Sequence, residues 1–135
     1  MEEVKKCLII DDDQDDQEIF LMCLRKIDKD IECTTANNGV EAIALLMSDG
    51  GYTPDYIFID LNMPKMNGID CLKLIKNIGR LEYSRIFMYS TTSEKSVLAQ
   101  TMHLGANDFI IKPSKTAELK EKLSKIFEIV SEISG

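Results

Sequence analysis

"YIFID" (residues 56–60) runs through four largely apolar residues to a single acid. A strand with one wet face alternates apolar and polar side chains; this one does not. An unbroken run suits a strand covered on both faces, as in a parallel sheet between two helix layers. "DFIIK" (108–112) has the same character. Outward from these two, "KCLIID" (6–11), the weaker "IECTTA" (31–36) and "RIFMYS" (85–90) complete five strand-like runs.

Segments of helical period separate them. Ile19, Phe20, Cys23, Leu24 and Ile27 form one stripe, and Val40, Ile43, Ala44 and Met47 mark the next, after the turn signal Asn38-Gly39. Ile69, Leu72 and Ile75 begin a third helix that stops near Gly79. A fourth runs from about Glu94 to Leu104, with Gly105 as its stop. Leu119, Leu123, Ile126, Val130 and Ile133, spaced 4, 3, 4 and 3, line the last helix and also permit a coiled-coil-like contact with a second copy. Repeated strand–helix units predict an α/β fold: a five-stranded parallel sheet with helices on both faces and right-handed crossovers. The 135 residues suit one domain, with no linker or repeat.

No apolar run approaches the ~20 residues of a membrane span, and the N-terminus lacks a signal peptide's pattern, so a cytoplasmic protein is expected. The net charge of -7 disfavours direct nucleic-acid binding, which wants a basic patch. Cys7, Cys23, Cys33 and Cys71 show no CxxC spacing and read as free thiols. His103 is the only histidine, which excludes a multi-His metal site; it reads as a helix-surface residue.

In an open parallel sheet, ligands bind beyond the carboxyl ends of the strands. The first strand ends at Asp11, with Asp12 and Asp13 next; the third ends at Asp60, the fourth at Ser90 and Thr91, the fifth at Lys112-Pro113. The fold thus gathers acids onto one rim. Two unit charges ~4 Å apart repel by about 1 kcal/mol in water and about 4 kcal/mol at an effective dielectric of 20. Asp11, Asp12 and Asp60 therefore need a cation, or one stays protonated. Carboxylate oxygens without His or Cys favour Mg²⁺. With Lys112 beside them, the site suits a phosphoryl group. Asp13, Asp15 and Asp16 read instead as acids favoured by a helix N-terminus.

Four signals in this order carry a family resemblance: Asp11-Asp12 after an apolar strand, "IDLNMPKMNGID" (59–70), Ser90, and "FIIKP" (109–113). Asp60 to Ser90 is 30 residues and Ser90 to Lys112 is 22. Over about residues 5–130 the chain resembles the receiver domain of two-component response regulators. The resemblance implies a flavodoxin-like three-layer fold with strand order 2-1-3-4-5, and one receiver domain over 1–135 whose last helix extends slightly at the C-terminus. It also implies a signalling switch rather than a metabolic enzyme, catalysing only its own phosphorylation and dephosphorylation.

By the same resemblance Asp60 accepts a phosphoryl group from a phosphohistidine on a sensor histidine kinase or a histidine phosphotransfer protein. Asp11, Asp12, Asp60 and the backbone carbonyl of Asn62 hold Mg²⁺. Ser90 donates a hydrogen bond to the phosphoryl group and Lys112 pairs with it. Ser90 and Phe109 act as the switch, Thr91 affects water access, and a cis peptide before Pro113 aims Lys112. The implied downstream partner is an unspecified protein, bound by a monomer or a weak phosphorylation-dependent dimer. Ser90 stands where threonine is commoner, Thr91 where alanine is frequent, Phe109 where tyrosine is frequent, and Ser114 where an aromatic residue is frequent.

Two rival readings are weaker. A haloacid-dehalogenase-type phosphatase wants a second acid two residues after its aspartate nucleophile, but "DLNMP" (60–64) has none. A flavodoxin-like flavin binder wants a Ser/Thr/Gly phosphate loop after the first strand, where "DDDQDD" (11–16) stands.

Overall fold

The computed structural model describes residues 4–48 and 52–128. The chain alternates β1 (Lys6–Ile10), α1 (Gln14–Ile27), β2 (Glu32–Ala36), α2 (Gly39–Ser48), β3 (Tyr56–Ile59) and α3 (Gly68–Lys76). A 3₁₀ turn (Gly79–Leu81) leads to β4 (Arg85–Ser90), α4 (Lys95–His103), β5 (Asp108–Ile111) and α5 (Thr116–Ile126). All neighbouring strands are parallel, in the order β2-β1-β3-β4-β5. That is the order and architecture the resemblance implies. Among the described residues no helix is long and apolar enough to cross a membrane.

The three central strands β1, β3 and β4 bury side chains on both faces, which is why β3 reads as a continuous apolar run, while the edge strands β2 and β5 are largely exposed. One face sets Cys7, Ile9, Phe58, Phe87 and Tyr89 against Phe20, Cys23 and Leu24 of α1 and Leu119 and Leu123 of α5. Aromatic rings dominate this layer: Phe20 meets Phe58 edge-on at 4.9 Å between centroids, and Phe58 stacks on Phe87 at 5.1 Å. The opposite face is aliphatic, with Leu8, Ile10, Ile57, Ile59 and Met88 against Ala42 and Leu46 of α2 and Leu72 and Ile75 of α3.

The residues whose period marks α2 lie in that helix, but they are not its buried side. Val40 is 47% and Met47 64% exposed, Ala44 is also exposed, and Ala42 and Leu46 form the buried side with Ile43 half-buried. The sequence "GVEAIALLMS" is apolar nearly all round, so its period does not select a face. Ile19, expected on the buried stripe of α1, is likewise exposed. Val130 and Ile133, and the proposed extension of the last helix, lie outside the described residues.

Helix ends follow local chemistry. Asp13 caps α1 by accepting the Asp16 N–H at 3.1 Å, and Asn67 caps α3 by accepting the Asp70 N–H at 2.9 Å. Gly105 ends α4 with φ 108°, a left-handed conformation that glycine adopts at little cost.

Candidate functional site

Asp11, Asp60 and Lys112 stand one residue beyond β1, β3 and β5, and the backbone ladder reaches out to hold all three, while Ser90 is the last residue of β4. The Asp11 N–H donates to Ala36 O (3.0 Å), Asp60 N–H to Ile10 O (2.9 Å) and Lys112 N–H to Ser90 O (2.8 Å). Ile10 pairs with Ile59 in register, so Asp11 and Asp60 emerge side by side. Residues separated by dozens of positions thus converge on the carboxyl rim.

The loop after Asp60 is locked from below. A Cβ on Gly68 would lie 2.2 Å from the Asp60 carbonyl oxygen and 2.8 Å from Leu61 Cα, so only glycine fits. The Gly68 N–H donates to Leu61 O at 2.8 Å, tying the start of α3 to the residue after Asp60.

Asp11, Asp12 and Asp60 each offer a carboxylate oxygen, all within 4.8 Å of one another. Asp11 and Asp60 are buried, and Asp12 is exposed. Three clustered oxygens with no nitrogen or sulfur donor fit a hard divalent cation such as Mg²⁺. The Lys112 ammonium donates to Asp11 Oδ2 and Asp16 Oδ2, each at 2.8 Å, and stands 3.8 Å from Asp60 Oδ1. It also lies 5.2 Å from the centroid of the Tyr89 ring. Ser90 is fully buried at the end of β4; its Oγ accepts a long 3.5 Å bond from the Thr92 N–H.

Burial pushes the Asp60 carboxyl up to about 7; the Lys112 charge opposes this, while Asp11 and Asp12 add to it. Asp11 is also raised by burial, against the hydrogen bonds from Lys112 and the Asp13 N–H. Burial pulls Lys112 down, but its hydrogen bonds to Asp11 and Asp16 and the charges of Asp11 and Asp60 outweigh that, so its net shift is upward. The lysine therefore stays charged.

The structure brings Asp11, Asp12, Asp60 and Lys112 together as expected, with Ser90 on the neighbouring strand end. Asn62 and Thr91 are exposed, and Phe109 is half-buried on β5, packed at the edge of the aliphatic core. The peptide before Pro113 is corrected: it is trans, not cis. Trans is the lower-energy isomer, and the ladder bond to Ser90 already directs Lys112 inward. Sequence reading missed two residues. Asp16, read as a helix N-terminal acid, also pairs with Lys112. Gln17, nearly buried, donates through Nε2 to the Asp11 carbonyl and to Asn37 Oδ1, fixing the turn after β1. Their signal was only an excess of polar residues over what one helix cap needs.

Residues 7–124 match the profile of the response regulator receiver domain. The chain belongs to this family. The receiver is 34% identical to the chemotaxis protein CheY-3 of Vibrio cholerae over 123 residues, 91% of this chain and 92% of that protein. The phosphorylated cyanobacterial phytochrome response regulator RcpA superposes with a TM-score of 0.84 at 27% identity, covering 93% of each chain. A CheX–CheY–BeF₃–Mg²⁺ complex from Borrelia burgdorferi gives 0.77 at 25% identity, covering 91% of this chain and 89% of that one. Response regulator receivers are signalling modules, so the phosphatase and flavin readings fall away.

Proposed function

We propose that this receiver is a phosphorylation-dependent switch whose phosphoacceptor is Asp60. The observation that carries the reading is a buried carboxylate clustered with two further acids, with a charged lysine 3.8 Å from its Oδ1. An Asp60 oxygen attacks the phosphorus of a phosphohistidine on a sensor kinase or phosphotransfer protein. The new O–P bond forms as the P–N bond breaks, and the imidazole leaves with the electron pair.

Asp11, Asp12, Asp60 and the carbonyl of Asn62 hold Mg²⁺, which when bound shares the charge of the phosphoryl oxygens. The Borrelia complex, with Mg²⁺ and a fluoroberyllate, supports this by likeness. Lys112 pairs with the phosphoryl group and Ser90 donates its hydroxyl to it. Phe109, beside Met88 in register, turns inward as Ser90 moves, and Thr91 limits water access. The two states exist beforehand, and contacts at Asp60 shift their populations. The acidic chain acts in the cytoplasm on a protein target rather than on nucleic acid, as a monomer or a weak dimer formed on phosphorylation. Its own dephosphorylation returns it to rest.

With Mg²⁺ and acetyl phosphate, intact mass should show one added phosphoryl group, absent in Asp60→Asn. Equal labelling of the variant overturns the assignment.

A further inference from the structure

An ammonium has three N–H donors. In Lys112 two of them meet Asp11 Oδ2 and Asp16 Oδ2 at 2.8 Å, while Asp60 Oδ1 stands at 3.8 Å, beyond hydrogen-bond length. The lysine is thus held between the β1 and α1 acids, and not by the residue proposed to react. Asp16 is well placed to hold it. Its own N–H is bonded to the Asp13 cap, and its helix is anchored by Phe20, Cys23 and Leu24 in the aromatic core. The Lys112 side chain is only 10% exposed, so bonds there are poorly screened by water. Asp11 and Asp60 belong to the acid triad; Asp16 does not, and the phosphoryl chemistry leaves it without a task.

We infer that Asp16 is a positioning residue that holds Lys112 off Asp60 and competes with the phosphoryl group for its ammonium. The inference rests on the proposed role of Asp60. A phosphoryl group there engages Lys112 fully only as the Asp16 bond loosens. Asp16 is the partner that can let go, because its side chain is 33% exposed and takes up water, whereas that of Asp11 is fully buried. Asp16 therefore sets how strongly the phosphorylated state is favoured, and acts as a brake on the switch.

The test uses beryllofluoride with Mg²⁺ as the phosphoryl mimic, its affinity read by NMR titration. Asp16→Asn should bind about fivefold more tightly than the wild type, as loss of one competing charge-assisted bond allows. Asp16→Glu, which keeps a carboxylate, should stay near the wild type. In a Lys112→Ala background the gain should vanish. A gain that persists without Lys112 is a plain effect of removing negative charge and overturns the inference. So does an unchanged or weakened affinity in Asp16→Asn. A metal-free arm reads the resting pair itself. Urea unfolding in EDTA of the two single variants and the double variant should show coupling of at least about threefold in the unfolding constant. Simple additivity there removes the resting pair and with it the inference. Should the wild type take up no beryllofluoride while the EDTA coupling is present, the fault lies with the acceptor role of Asp60, and the competition falls with it.

Discussion

Of the helices that start at the carboxyl rim, α1 and α4 are built differently. α1 has 14 residues, a side-chain cap from Asp13, and Phe20, Cys23 and Leu24 buried in the aromatic core. α4 has nine residues, no side-chain cap from Glu94, and only Thr101 fully buried. The approach to α4 is loose as well: the Thr92 N–H donates to Ser90 Oγ and the Glu94 N–H to Thr92 Oγ1, both over 3.5 Å. The contrast separates two tasks. The α1 side is a fixed platform for Asp11, Asp12 and the lysine, while the α4 side has little to lose by moving. The switch proposed above needs both, since a local charge change is read out where packing is weak.

The largest blow to this contrast should come from the core under α1. Phe20→Ala removes a fully buried ring and should lose about 3–4 kcal/mol in urea unfolding, against about 1 kcal/mol or less for the half-buried Val97→Ala in α4. Similar losses would erase the difference.

The next effect concerns the charge crowded on the platform. In the folded protein the Asp60 carboxyl sits at about 7, above the ordinary aspartate value of about 3.9 in the unfolded chain. Between those values the folded state binds more protons, so metal-free stability falls as pH rises from about 4 to about 7. Asp60→Asn escapes that penalty. In EDTA at pH 8 it should be more stable than the wild type by about 2 kcal/mol, with the gap closing toward pH 5. A gap that is constant with pH would count against burial as the cause.

Capping gives a smaller and sharper comparison. Asp13→Ala should destabilise by about 1 kcal/mol, and Asp13→Asn should recover most of it because the amide oxygen still accepts the Asp16 N–H. Smallest of all, Glu94→Ala at the start of α4 should stay within about 0.5 kcal/mol of the wild type, since Glu94 makes no cap bond. Hydrogen exchange should follow the same order, with α4 amides opening before those of α1.

The amino-acid sequence by itself determined the element order, the parallel sheet and the rim on which the acids gather. Those follow from local signals: unbroken apolar runs for doubly covered strands, turn residues between them, and acids directly after strand ends. "RIFMYS" (85–90) coincides with β4, and Asp60 emerges directly after β3. Tertiary structure alone decided the rest. It chose Ala42 and Leu46 as the buried side of α2, because a helix apolar all round can turn either way until a sheet is beneath it. It left the peptide before Pro113 trans. It made Asp16 a partner of Lys112, 96 residues away. A pattern along the chain reports burial and propensity, which are local. The direction of a charge across 96 positions depends on strand register and helix packing, which exist only once the chain has folded.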